Sequence, residues 1–207
     1  MRKVALLLCT VLLIISATTF GRPKTYDVVI TSGQLYDGSG QASYVADIGI
    51  KDGHIAAIGR LEADADIVID AQGLAVAPGF INMLSWANES LIEDGKSQSD
   101  IRQGVTLEVM GEGWSMGPLN EKMKLDMRES QGNIKFNIEW TTLGEYLEYL
   151  EKKGVSTNIA SFVGATTVRV YAVGYEDRPA APKELDQMRE LVGQAMREGA
   201  LGVSSAL

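Results

Sequence analysis

Apolar and polar residues alternate along the first third of the chain, and the rhythm lengthens after residue 80. Residues 26–32, Tyr-Asp-Val-Val-Ile-Thr-Ser, alternate as a half-buried strand does, with Gly33 and the pair Asp37-Gly38 as turn formers. Residues 44–50 and 54–58 form a second pair about Lys51-Asp52-Gly53, where glycine accepts the positive φ of a tight hairpin. Residues 67–70 and 74–77, on either side of Ala71-Gln72-Gly73, extend the predicted sheet to Pro78.

From Phe80 the pattern is strand, then helix, repeated. Residues 80–84 read as a short apolar strand, 97–103 as a helix ended by Gly104, and 105–110 as the next strand. Thr142-Leu-Gly-Glu145 is a capping-box sequence, opening a helix with Leu143, Tyr146, Leu147 and Leu150 on one face and Gly154 as its stop. Residues 158–163 read as a third strand. Pro182 opens a further helix whose Leu185, Met188, Leu191, Val192, Ala195 and Met196 make a core-facing stripe, and residues 200–204 read as a fourth strand. Strand–helix repeats after a β unit fit either an α/β barrel or a doubly wound sheet. Gly111-Glu-Gly113 is only a fragment of a phosphate-binding loop, so a nucleotide fold has little support.

Composition narrows the chemistry. The net charge is −8, and the 19 Lys and Arg residues are scattered singly, which argues against nucleic-acid binding. Arg2 and Lys3 precede an apolar run over 4–15 and the small residues of Ser16-Ala-Thr-Thr-Phe-Gly21, the order of a secretory signal. The expected mature protein is exported, periplasmic or extracellular, without a stable membrane span after cleavage. Cys9, the one cysteine, lies in that segment behind Leu8, where a lipoprotein signal calls for a small residue, so no disulfide framework is expected. The one histidine, His54, stands at a strand start and reads as structural; alone it cannot build a histidine-rich zinc site.

Residues 26–38, Asp70-Ala-Gln-Gly73, Ala77-Pro-Gly-Phe80, Ile101-Arg-Gln-Gly-Val-Thr106 and Glu198-Gly-Ala-Leu-Gly-Val-Ser204 together resemble the N-terminal part of the N-acyl-D-amino-acid deacylase (D-aminoacylase) branch of the amidohydrolase superfamily. The last two segments are the more specific to the deacylases. The resemblance implies an α/β fold: a small β-sandwich domain followed by the first part, about four strands, of a (β/α)8 amidohydrolase barrel, with metal at the C-terminal rim of the strands. It divides the chain into a signal peptide (1–22), the N-terminal part of the β-sandwich (26–79) and a partial barrel (80–207). Four strands against the family's eight give the expectation of a truncated form, inactive by itself, with later catalytic groups beyond Leu207. Unpaired parallel edges at 80–84 and 200–204 would make such material unstable or self-associating.

The implied activity is hydrolysis of the N-acyl bond of small N-acyl-D-amino acids, with zinc the metal expected for the family. Its His-x-His motif falls on Leu84 and Trp86, and the preceding aspartate on Asn82. The cysteine ligand of the second strand becomes Gly113, and the Gly-His after the third becomes Gly164-Ala165. The metal motif is therefore degenerate. Glu112 is the one candidate metal ligand, a carboxylate beside the lost thiolate; its other reading is a solvated loop acid. Trp86 and Trp114 read as core packing or as walls of an apolar pocket, and Arg169 as a structural ion pair or a partner for a substrate carboxylate. Glu89, Glu93 and Asp94 read as a solvated acidic face. Ser204 and Ser205 have no histidine base available within the chain, which sets aside a serine hydrolase. Two alternatives stand beside the deacylase: a non-catalytic amidohydrolase-like binding protein, and another amide or cyclic-amide hydrolase of the superfamily.

Overall fold

Residues 24–206 are described by a computed structural model, and the predicted signal segment lies outside them. The chain divides into two units, residues 24–78 and 79–206. The first is a mixed sheet of β1 (Tyr26–Leu35), β2 (Tyr44–Lys51), β3 (His54–Gly59), β4 (Ala65–Asp70) and β5 (Ala75–Val76), in the order β3-β2-β1-β4 with β5 beside the end of β1. β1 to β3 are antiparallel, whereas β4 and β5 run parallel to β1. Asp52 and Gly53 both take positive φ, 50° and 74°, as a two-residue hairpin turn of matching twist requires.

β1 outruns its alternating pattern because a bulge absorbs the break. The register shifts between Ile30 and Gly33, and Ser32 sits at φ 58°. Asp47 holds this point: its two oxygens accept the N–H groups of Leu61 (2.9 Å) and Ser32 (2.8 Å). Those bonds, with Leu61 the larger influence, keep the Asp47 carboxyl below the usual carboxylate range. On β4, Ile67, Val68 and Ile69 are exposed. The described residues of this unit thus form one sheet, and a second sandwich layer is not among them.

The second unit is built on parallel strands. β6 (Phe80–Asn82), β7 (Val105–Met110) and β8 (Asn158–Ser161) lie side by side in chain order. Phe162 separates β8 from β9 (Val163–Gly164), which pairs in parallel with β10 (Val203–Ser204). Between the strands run α1 (Ser90–Glu93), α2 (Gln98–Ile101), α3 (Glu121–Ser130), α4 (Leu143–Lys153), α5 (Ala165–Ala172) and α6 (Pro182–Arg197). No described helix is long and apolar enough to cross a membrane.

The capping box forms as the sequence predicts: Thr142 accepts from the N–H of Glu145, and Glu145 accepts from the N–H of Thr142. Trp140 anchors the core. Its indole N–H donates to the Met116 carbonyl at 2.6 Å, and its ring lies 5.1 Å from both Tyr146 and Tyr149. Burial drives the Tyr146 hydroxyl far above the usual phenol range, and that hydroxyl donates to the Asn88 carbonyl at 2.9 Å.

Three expectations are adjusted. The helix predicted over 97–103 is the short α2, and α1 precedes it. The first strand stops at Asn82, where the Asn side chain accepts the Leu84 N–H and turns the chain. On α6 the predicted stripe is only partly covered, since Leu185 and Met196 are exposed while Ala195 is buried. Leu185, Met188 and Val192 line an open apolar groove of about 320 Å³ with Val168 and Val203.

Candidate functional site

Parallel pairing puts the C-terminal ends of β6, β7, β9 and β10 on one rim, where an α/β sheet carries its chemistry. After β6 the chain continues along β7: the Ser85 N–H donates to the Val109 carbonyl at 2.9 Å. Ser85 is buried, while its neighbours Leu84 and Trp86 are 53% and 60% exposed. The two positions that the sequence reading set against the family's His-x-His are thus both exposed. Neither side chain has a lone pair to give a metal.

The segment after β7 is held more firmly. Gly111 and Gly113 take φ of 93° and 64°, and a Cβ at 111 would lie 2.1 Å from the Phe162 carbonyl oxygen. The Gly113 carbonyl accepts from the Thr166 N–H at 2.9 Å. Ser115 donates through its backbone N–H to the Thr167 hydroxyl at 2.7 Å, and its own hydroxyl accepts the Gly164 N–H at 3.0 Å. Glu112, between the two glycines, is half-buried and presented by a fixed backbone. A Cβ at position 113 would stand 3.1 Å from the Cβ of Ala206, so this position is crowded as well as left-handed.

The other predicted residues scatter among structural roles. Gly164 ends β9 and Ala165 opens α5, leaving no imidazole there. Arg169 donates to three backbone carbonyls, those of Gly174 (3.1 Å), Glu176 (2.8 Å) and Arg178 (2.7 Å). It is neither of the things its sequence offered; it ties the loop after α5 to that helix. Trp114 is exposed, its ring centroid 6.5 Å from that of Tyr175, and lies outside the buried core of the described residues. Trp86 is likewise at the surface. Asp94 accepts the Lys96 N–H at 3.0 Å, a local turn contact. His54 faces the Asp52 carbonyl at 2.8 Å within its own hairpin.

Zinc would need three or four ligands. No group of three or more His, Cys, Asp or Glu side chains that could hold a metal comes together among the described residues. Glu112 stands as a single carboxylate, and the described residues by themselves do not make a zinc site.

Sequence reading passed over Glu108. This acid is 0% exposed in the middle of β7, and three hydroxyls point at it: Ser85 at 2.6 Å, Ser97 at 2.9 Å and Thr157 at 3.1 Å. One acid inside an apolar strand has no spacing signature. Its partners lie up to 49 residues away.

A D-aminoacylase of Alcaligenes xylosoxydans xylosoxydans is 35% identical over 187 residues, covering 88% of this chain and 38% of the relative. An N-acyl-D-aspartate deacylase of the same organism is 32% identical over 185 residues, covering 88% and 37%. The crystal structure of a D-aminoacylase of the amidohydrolases matches with a TM-score of 0.75 and 32% identity, over 87% of this chain and 38% of that one. An N-acyl-D-glutamate deacylase from Bordetella bronchiseptica, solved with zinc and a phosphonate mimic of the tetrahedral intermediate, has a TM-score of 0.75 and 29% identity over the same shares. No family model matches. The chain spans less than two-fifths of the length of these relatives. Over nearly nine-tenths of its own length, the chain is homologous to the D-aminoacylase branch of the amidohydrolase superfamily.

Proposed function

We propose that the whole protein hydrolyses the amide bond of small N-acyl amino acids, using a rim altered from that of its relatives. The observation that carries this reading is homology to deacylases across both units, at 35% and 32% identity. In the reaction, the oxygen of water bonds to the acyl carbon, the carbon–nitrogen bond breaks, and the amine leaves with a proton. The products are a carboxylate and a free amino acid.

The described residues contribute a frame and a wall to this site. Leu84, Trp86 and Trp114 present exposed apolar surface at the rim, suited to the hydrocarbon part of an acyl group. Glu112 is the one candidate metal ligand we assign among the described residues. We propose further that the unit of residues 79–206 is part of an amidohydrolase barrel, on the strength of its consecutive parallel strands and the D-aminoacylase likeness.

A binding protein without turnover is the second reading. It is favoured by one observation: the aligned positions Leu84, Trp86, Gly113 and Ala165 all lack a metal-binding group. The whole protein, expressed from its complete coding sequence, is assayed against a panel of N-acyl-D- and N-acyl-L-amino acids with and without chelator. Release of free D-amino acid is expected. Tight binding of a panel member with no product would replace the enzyme by the binder.

A further inference from the structure

Glu108 is a buried acid that the proposed chemistry does not use. Placing a carboxylate at 0% exposure is costly unless its oxygens are satisfied, and here only neutral hydroxyls do so. Oε2 accepts from Ser85, and Oε1 from Ser97 and Thr157. The three donors sit on different connections: Ser85 between β6 and α1, Ser97 before α2, and Thr157 before β8. All three are buried, at 5%, 8% and 4% exposure. Ser97 also holds a left-handed backbone, φ 45° and ψ 44°, which a non-glycine residue keeps only when its surroundings enforce it.

The Ser85 contact has a geometric consequence. The chain here is not regular strand: it bends at 83–84 after the Asn82 turn and turns again at 87–89. Within it Ser85 alone is held inward, its hydroxyl on Glu108 at 2.6 Å and its N–H on Val109, while Leu84 and Trp86 on either side of it are 53% and 60% exposed. The same hydroxyl accepts the Ala87 N–H at 3.2 Å, fixing the exit of the segment.

We propose that Glu108 is a positioning residue for the rim: through Ser85 it sets the common outward direction of positions 84 and 86. That these positions belong to a ligand site rests on the function proposed above; the tether does not.

The test uses the full chain with Cys9→Ser, so that nitroxide labels can be placed singly through Leu84→Cys or Trp86→Cys. Electron paramagnetic resonance reads the mobility of each label. Ser85→Ala is expected to abolish the slow spectral component at both positions, and Ser85→Thr, which keeps the hydroxyl, to restore it. Thr157→Val removes a hydrogen bond from the same carboxylate without touching the rim, and should leave both labels slow. Labels that stay slow in Ser85→Ala, or that loosen equally in Thr157→Val, would overturn the proposal. Because no readout is catalytic, an inert protein with a loosened Ser85→Ala rim would sink the enzyme reading and keep the tether.

Discussion

At the scale of single residues, the Arg169 guanidinium joins α5 to the loop that follows it through three backbone carbonyls. Leu84, Trp86, Gly113 and Ala165 could be placed by alignment of motifs, because glycine and proline frames survive when ligands do not. Arg169 could not, since its partners are backbone carbonyls brought close by the loop after α5. Arg169→Met should lower stability by about 1–3 kcal/mol in urea unfolding, through loss of charge-assisted hydrogen bonds. It should leave the affinity for an N-acyl-D-amino acid unchanged. A selective rise in KM with unaltered stability would return Arg169 to the role of a substrate-carboxylate partner.

At the scale of elements, the strands and capped helices were legible and three helices, the one-turn α1 and the longer α3 and α5, were not. β7 coincides with its predicted residues, and α4 opens at its capping box and closes at Gly154. α3 buries only Met123 of its ten residues, so it shows almost no apolar stripe. α5 is Ala-Thr-Thr-Val-Arg-Val-Tyr-Ala, a β-branched run that local preference assigns to a strand. It becomes a helix by packing: Thr167, Val168 and Val170 are buried.

The start of α6 carries a pH dependence. Glu184 accepts a forked pair of bonds from Arg178, both 2.7 Å, and also the Ala181 N–H at 2.7 Å. Arg178 first and the Ala181 N–H second bring its carboxyl down to about 2. A depressed carboxyl stabilises the fold above its unfolded pKa, about 4.3, and that contribution fades as pH falls toward the folded value. Amide exchange at residues 181–185 should therefore accelerate between about pH 4 and pH 2, ahead of the α4 core. A Glu184 that titrates in the ordinary carboxylate range by NMR would contradict this.

At the scale of the molecule, both units carry exposed apolar side chains on or beside their strands. Phe80 and Ile81 on β6, Leu201 and Val203 at β10, and Ile67 to Ile69 on β4 are all exposed. Surfaces of this kind associate when isolated. Residues 24–207 expressed alone should sediment as a concentration-dependent mixture of oligomers, and a monomer at every concentration tested would show the edges to be protected.

The proposed function puts positions 84 and 86 at a deacylase rim where leucine and tryptophan stand in place of metal-binding histidines. The deciding quantity is the rate of free D-amino acid release from an N-acetyl-D-amino acid, comparing the whole protein with its Leu84→His, Trp86→His double variant. Both are measured with zinc and with chelator. Slow release is expected from the unaltered protein, and faster, chelator-sensitive release from the variant. A double variant that folds, yet is no faster and no more sensitive to chelator than the unaltered protein, would contradict it.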